Sequence, residues 1–219
     1  MKNGTRYLVL RQQSSTGNAT TDYFRTKPDH MRGAPRCPSC GQYIGLLRWL
    51  SPLRVELKLY GAKFGDFAFG GGDDLLVSDL FRRSYMKARL TGLESFDPVE
   101  VVKVKTKKKQ LQEEPPKYYR VLPALSNAAI DDVRSELVRE KPWTCSRCRS
   151  NGVVSVKRIV LEDGTWSDED IFLARGLPAT ILISSRFADV YASNRLDGAE
   201  LIPAEDYTYD TNNFSFVSK

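Results

Sequence analysis

Four cysteines constrain this chain more than any other residues, because they form two pairs of one kind. Cys37-Pro38-Ser39-Cys40 is followed by Gly41, and Cys145-Ser146-Arg147-Cys148 comes 108 residues later. A CxxC turn presents two thiolates side by side, so two such turns supply the four soft ligands of a tetrahedral site with none left over. The expectation is one structural Zn2+ held by Cys37, Cys40, Cys145 and Cys148. A closed four-thiolate site leaves no position for a reactive water. In a compact zinc ribbon the second pair follows within about 15 to 20 residues. Here a domain's length of chain intervenes.

Two other uses of the cysteines fit less well. The opening MKNGTRYLVLRQQ has only a four-residue apolar run before Arg11, far short of a signal peptide, and no run approaches a membrane span. The chain therefore reads as cytoplasmic, where disulfides are rare. A thioredoxin-like redox pair opens a helix, and Gly41 or Ser150-Asn151-Gly152 would start one poorly.

The offset of the cysteine pairs invites a search for a repeat at that period. Ser78 to Glu94 lies 106 residues before Ser184 to Glu200, and seven of 17 positions agree: Ser78/Ser184, Phe81/Phe187, Tyr85/Tyr191, Arg89/Arg195, Leu90/Leu196, Gly92/Gly198 and Glu94/Glu200. Average residue usage gives about one match by chance. Each segment reads as an apolar strand, a serine cap, a helix with an aromatic face, a glycine C-cap and a further strand. Tyr7-Leu-Val-Leu10 and Tyr119-Arg-Val-Leu122 would open the two copies as strands. Leu53 to Tyr60, with strict alternation, and Val153 to Leu161 would follow the knuckles as strands.

These units predict an α+β fold of two related halves, each a mixed or antiparallel sheet with a packed helix in a strand-helix-strand unit, stapled by the knuckle pair. The halves are residues 1–104 and 118–219, joined by a charged, proline-containing linker at 105–117. Within the second half, residues 126–140 read as a helix capped by Ser126 or Asn127, with Ile130, Val133, Leu137 and Val138 as its apolar stripe. Residues 12–22 read as a loop.

Catalytic constellations are weak. His30 is the single histidine, which excludes a histidine dyad or an HExxH helix, and it reads as a surface residue. Gly70-Gly71-Gly72 lacks the rest of a phosphate-binding motif and reads as a turn before Leu75. Asp163, Asp168, Glu169 and Asp170 could suggest a cation site, but Ser167 with Asp170 three later reads as a helix capping box. The chain is not expected to be an enzyme.

Charge is divided unevenly. Residues 1–159 carry 29 basic and 16 acidic side chains, and residues 160–219 carry 4 and 11. The run Lys103, Lys105, Lys107, Lys108 and Lys109 reads as a solvated linker.

The paired knuckles about a hundred residues apart are joined by a Tyr-rich opening strand and by Phe64-Gly-Asp-Phe-Ala-Phe69. The end pattern runs Asp170-Ile-Phe, Leu177-Pro-Ala-Thr-Ile-Leu-Ile-Ser184, Arg186-Phe187 and Leu196-Asp-Gly198. Together these resemble the double-CXXCG motif family of myxobacteria, whose members are described as Sit-type immunity proteins protecting a cell from a cognate toxin delivered by kin. The second knuckle departs from the family pattern in carrying Arg149 at the place of Gly41. The resemblance implies a non-enzymatic protein that binds and neutralises a toxin by covering it. For a basic nuclease toxin, the acidic region from Glu162 to Asp210 is the expected face. The competing class is a zinc-ribbon nucleic-acid-binding or regulatory protein, favoured by a pI near 9.1 and the basic first 159 residues.

Overall fold

The computed structural model describes residues 7–45, 48–70, 75–106 and 114–211. Gly71 to Asp74 and Lys107 to Lys109 lie outside these. Before the linker the elements are β1 (Tyr7–Gln12), β2 (Thr21–Arg25), β3 (His30–Arg32), β4 (Arg48–Leu50), β5 (Arg54–Leu59), β6 (Phe67–Phe69), β7 (Leu75–Ser78), α1 (Asp79–Ala88) and β8 (Asp97–Thr106). After it come β9 (Tyr118–Val121), β10 (Ala124–Ala129), β11 (Val138–Arg139), β12 (Val153–Val156), β13 (Ile171–Arg175), β14 (Leu177–Ser184), α2 (Ser185–Ser193), β15 (Ala199–Pro203) and β16 (Tyr209–Asp210).

The chain is mostly β, with two α-helices among the described residues, so the helical part of the expected α+β fold is small. Strand, helix and strand do follow one another twice, but they do not build self-contained halves. One sheet is ordered β10-β13-β14-β1-β15, and a closed barrel is ordered β2-β5-β8-β9-β7-β6. The opening strand β1 therefore lies in the sheet of the second half, between β14 and β15 and antiparallel to both. Reciprocally, β9 lies in the barrel of the first half, between β7 and β8 and antiparallel to both. Five strands then match in order and direction: β2-β6-β7-β9-β8 against β10-β13-β14-β1-β15. In the first set β5 adds a sixth strand that pairs with both β2 and β8 and closes the barrel.

The residues shared between the repeats have local physical roles. Ser78 Oγ accepts from the Phe81 amide at 3.1 Å, and Ser184 Oγ from the Phe187 amide at 3.0 Å, capping both helices. Phe81 and Phe187 are 1% exposed and meet at 5.6 Å between ring centroids, with Phe67 against both, so the helices share one apolar core. Truncating either ring to alanine would cost about 3 to 5 kcal/mol.

The left-handed residue that ends each helix is Arg89 or Arg195, both at φ 52°, rather than the glycine. Gly92 and Gly198 have positive φ for another reason. A Cβ on Gly92 would stand 1.9 Å from the Ile171 carbonyl oxygen, and one on Gly198 would stand 2.6 Å from that of Phe67.

Three further expectations change. Residues 126–140 form no helix. β10 pairs in parallel with β13, burying Ser126 and Ala128 while exposing Leu125 and Asn127, and Val133 of the supposed stripe is 86% exposed. A turn follows instead, in which Asp131 Oδ1 accepts from the Arg134 amide at 2.9 Å. Ser167 caps no helix, because its amide donates to Glu169 and the chain enters β13 at Ile171. The loop expected at 12–22 narrows to the stretch between β1 and β2, and the strand after the second knuckle stops at Val156. As expected, β5 alternates, with Val55, Leu57 and Leu59 inside the barrel. No helix among the described residues is long and apolar enough to cross a membrane.

Candidate metal centre

Each knuckle lies between the strands of a short antiparallel hairpin, the first between β3 and β4 and the second between β11 and β12. The turns are built alike. Gly41 N–H donates to the Cys37 carbonyl at 2.8 Å, and Arg149 N–H donates to the Cys145 carbonyl at 2.9 Å. Gly41 has φ 73° and Arg149 φ 51°. The departure at Arg149 thus keeps the turn, with a conformational cost on its backbone. Its side chain offsets that cost: the guanidinium forms a two-pronged pair with Glu162 at 2.7 and 3.0 Å, donates to the Ile130 carbonyl, and lies 5.0 Å from the Trp143 ring centre.

The two knuckles meet. Cys37 Sγ is 3.9 Å from Cys145 Sγ, Cys40 Sγ is 3.6 Å from Cys148 Sγ, and all four sulfurs lie within 4.8 Å of one another. Zn–S bonds of about 2.3 Å in a tetrahedron put neighbouring sulfurs about 3.8 Å apart, whereas a disulfide needs about 2.05 Å. The four thiols are free. Their spacing fits one metal ion, and among the described residues this is the one group of three or more His, Cys, Asp or Glu so arranged. Cys37 and Cys148 are buried, Cys145 is half-buried and Cys40 is exposed.

The thiols are not equivalent. Desolvation raises Cys37, but the amides of Ser39 and Cys40 outweigh it and bring the thiol down to about 6. The Cys148 amide likewise holds Cys145 below the ordinary thiol value. Desolvation pushes Cys148 up to about 12. At Cys40 the Gln42 amide lowers the thiol, but desolvation and the neighbouring Cys145 and Cys37 sulfurs outweigh it and leave it raised. The surroundings thus favour the thiolate at the first cysteine of each knuckle and oppose it at the second. Backbone amides supply the lowering at Cys37 and Cys145.

The other candidates lie apart from the sulfurs. His30 is exposed on β3, paired with Leu50. Asp163 is exposed and bonded to Arg134, and Glu169 accepts from Ser126 Oγ at 2.8 Å. Asp170, 1% exposed, accepts from Ser184 Oγ, the Thr91 amide and Arg186. Sequence reasoning missed Asp170 and its counterpart Asp66 as structural carboxylates. The signal was present: each stands before a short apolar strand of its repeat.

No known protein-family model matches the chain, and no curated protein matches it.

Proposed function

We propose that this is a non-catalytic binding protein whose two knuckles are tied by one structural zinc ion, and that its task is to bind and neutralise a cognate toxin in the cytoplasm. The observation that carries the metal reading is the meeting of all four sulfurs, two from each side of the linker, within 4.8 Å. When bound, the ion cross-links the β3–β4 and β11–β12 hairpins and holds their tips rigid. Four thiolates complete its coordination, which suits a staple rather than a Lewis acid. The toxin reading rests on the double-CXXCG resemblance.

The acidic C-terminal region is the face we assign to a basic toxin. Asp163, Asp168, Glu205 and Asp206 are exposed there. A half-open cavity of about 530 Å³ beside them is lined by Tyr7, Trp166, Glu162, Asp163, Glu205 and Arg134, so a basic side chain entering it competes with Arg134 for Asp163 and with Arg149 for Glu162.

Metal analysis of the purified protein beside a Cys145→Ser variant tests the staple. One zinc per chain, lost in the variant, supports it; two metals per chain, or none, overturn it. Co-purification with toxins encoded beside this gene tests the partner. Charge reversal at Asp163 and Asp168 should weaken toxin binding at least tenfold, whereas unchanged affinity removes the acidic face from the proposal.

A further inference from the structure

The outer rim of the two knuckles is used by neither the metal nor the toxin reading. Residues 30–55 and 141–161, which carry the knuckles, contain nine Lys or Arg and no Asp or Glu, although Glu162 and the exposed Glu140, whose carboxylate lies beside Gly152, flank the second segment. Four of these cations are paired with carboxylates from elsewhere: Arg48 with Glu94, Arg54 with Glu100, Arg149 with Glu162 and Arg158 with Glu136. Arg32, Arg36, Lys141 and Arg147 are exposed and form no ion pair among the described residues. Arg175 joins them from β13, reaching the carbonyl of Ser146 inside the second knuckle. A zinc ion with four thiolates carries a charge of −2, which offsets about two of these cations. A positive surplus remains.

Two aromatic rings stand in the same place. Tyr43, 55% exposed, lies under the Arg36 guanidinium at 4.0 Å from its ring centre, and Arg36 also donates to the Gly41 carbonyl and the Tyr43 hydroxyl. Trp143, 36% exposed, is backed by Arg149. The contacts of Cys37 with Cys145, and of Ser150 with the Tyr43 carbonyl, bring the two ring-bearing knuckle loops together. Each ring therefore has a cation on one face and solvent beside it.

We infer that this knuckle face binds single-stranded nucleic acid. Phosphates are held by Arg32, Arg36, Lys141 and Arg147, and bases stack on Tyr43 and Trp143. Tyr, Trp and Arg also suit a protein interface; four exposed cations without carboxylate partners among the described residues, set beside rings with an open face, favour an anionic strand whose bases can stack. The inference is independent of the toxin reading.

The test is fluorescence anisotropy of a labelled oligouridylate of about twelve nucleotides with the full-length, metal-loaded protein. With about four phosphates neutralised, affinity should fall about 50-fold between 50 and 200 mM salt. Tyr43→Ala and Trp143→Ala should each weaken binding by about 5- to 150-fold. Both rings are surface groups, and retained metal content serves as the folding control. Polyglutamate should compete poorly. Lack of binding at 50 mM salt, indifference to both ring substitutions, or equal competition by polyglutamate would each overturn the inference, the last in favour of an acidic protein partner.

Discussion

Thr91 and Asp170 tie the two halves of the chain together: the Thr91 amide donates to the Asp170 carboxylate at 2.9 Å, and the Asp170 amide returns a bond to the Thr91 carbonyl at 3.2 Å. Asp197 and Asp66 make the same exchange, at 3.0 and 2.8 Å. In both places the helix-capping serine, Ser184 or Ser78, donates to the same carboxylate. Asp170 also receives Arg186 at 2.9 Å and is 1% exposed. Losing the Asp170 carboxylate leaves the Ser184 hydroxyl and the Thr91 amide without their acceptor and the half-exposed Arg186 without its charge partner, for about 2 to 4 kcal/mol in all, while losing the neutral donors around Asp66 costs about 1 to 3 kcal/mol. Urea denaturation should therefore find Asp170→Ala the more damaging change. The reverse order would contradict this account.

Asp66 has a pH signature of its own. Burial raises it above the ordinary 3.8, more than the Ser78 and Asp197 donors lower it. The native state then holds the proton to higher pH than the unfolded chain does. The stability this group contributes is complete below about 3.8 and is lost as pH rises through the folded value. Asp66→Asn cannot ionise, so the stability of the natural protein relative to that variant should decline as pH is raised from 3.5 towards 7. A difference that stays flat or grows would be the wrong sign.

Gly92 and Gly198 give a graded pair. Both have positive φ, near 102° and 96°, and both face a backbone carbonyl from the other half. Alanine at 92 places its Cβ 1.9 Å from that oxygen, against 2.6 Å at 198. Backbone cannot move aside as a side chain does, so Gly92→Ala should cost more than about 3 kcal/mol and Gly198→Ala less. Thermal unfolding of the two variants would show the order.

The knuckles predict a milder contrast. No atom lies within 4 Å of a Cβ built on Gly41, so Gly41→Ala bears only the cost of its left-handed backbone, about 1 kcal/mol. Arg149→Gly relieves that cost but loses the Glu162 pair, for a net loss of about 1 kcal/mol. Both variants should retain one metal per chain. Loss of metal from either would show that the turn is less tolerant than its hydrogen bonds imply.

The sequence made some of this legible because the signals are local. CxxC spacing, the serine caps and the Phe81/Phe187 faces each depend on residues a few positions apart, and the structure brings the four sulfurs together, caps both helices and buries both rings. The helix expected at 126–140 failed because Ile130 and Leu137 fit a helical stripe by spacing alone, while the backbone of Ala124–Ala129 had a β13 neighbour to pair with. Asp66 and Asp170 were invisible as a pair because their partners, Asp197 and Thr91, lie 131 and 79 residues away. Strand alternation in Tyr7 to Leu10 reveals a buried strand but not which sheet receives it.

That last limit leads to the sharpest prediction. Leu8 and Leu10 of β1 pack in the same core as Phe187 and Ile183, and Val9 packs with Phe172 and Leu182. Tyr118 of β9 is buried with Tyr23 and Leu57 in the barrel, where its hydroxyl donates to the Gly65 carbonyl at 2.6 Å. Neither half can fill its own sheet, since each would leave a gap between two strands that pair antiparallel with the missing one. Fragments 1–106 and 114–219 should therefore fail to fold alone but co-purify as a one-to-one complex when expressed together. Deleting residues 1–13 from that pair should unfold the second fragment, whose sheet loses the strand between β14 and β15, and the loss should show as collapse of the circular dichroism signal of the complex. Independent folding of either fragment would mean that β1 and β9 can each return to a sheet of their own half.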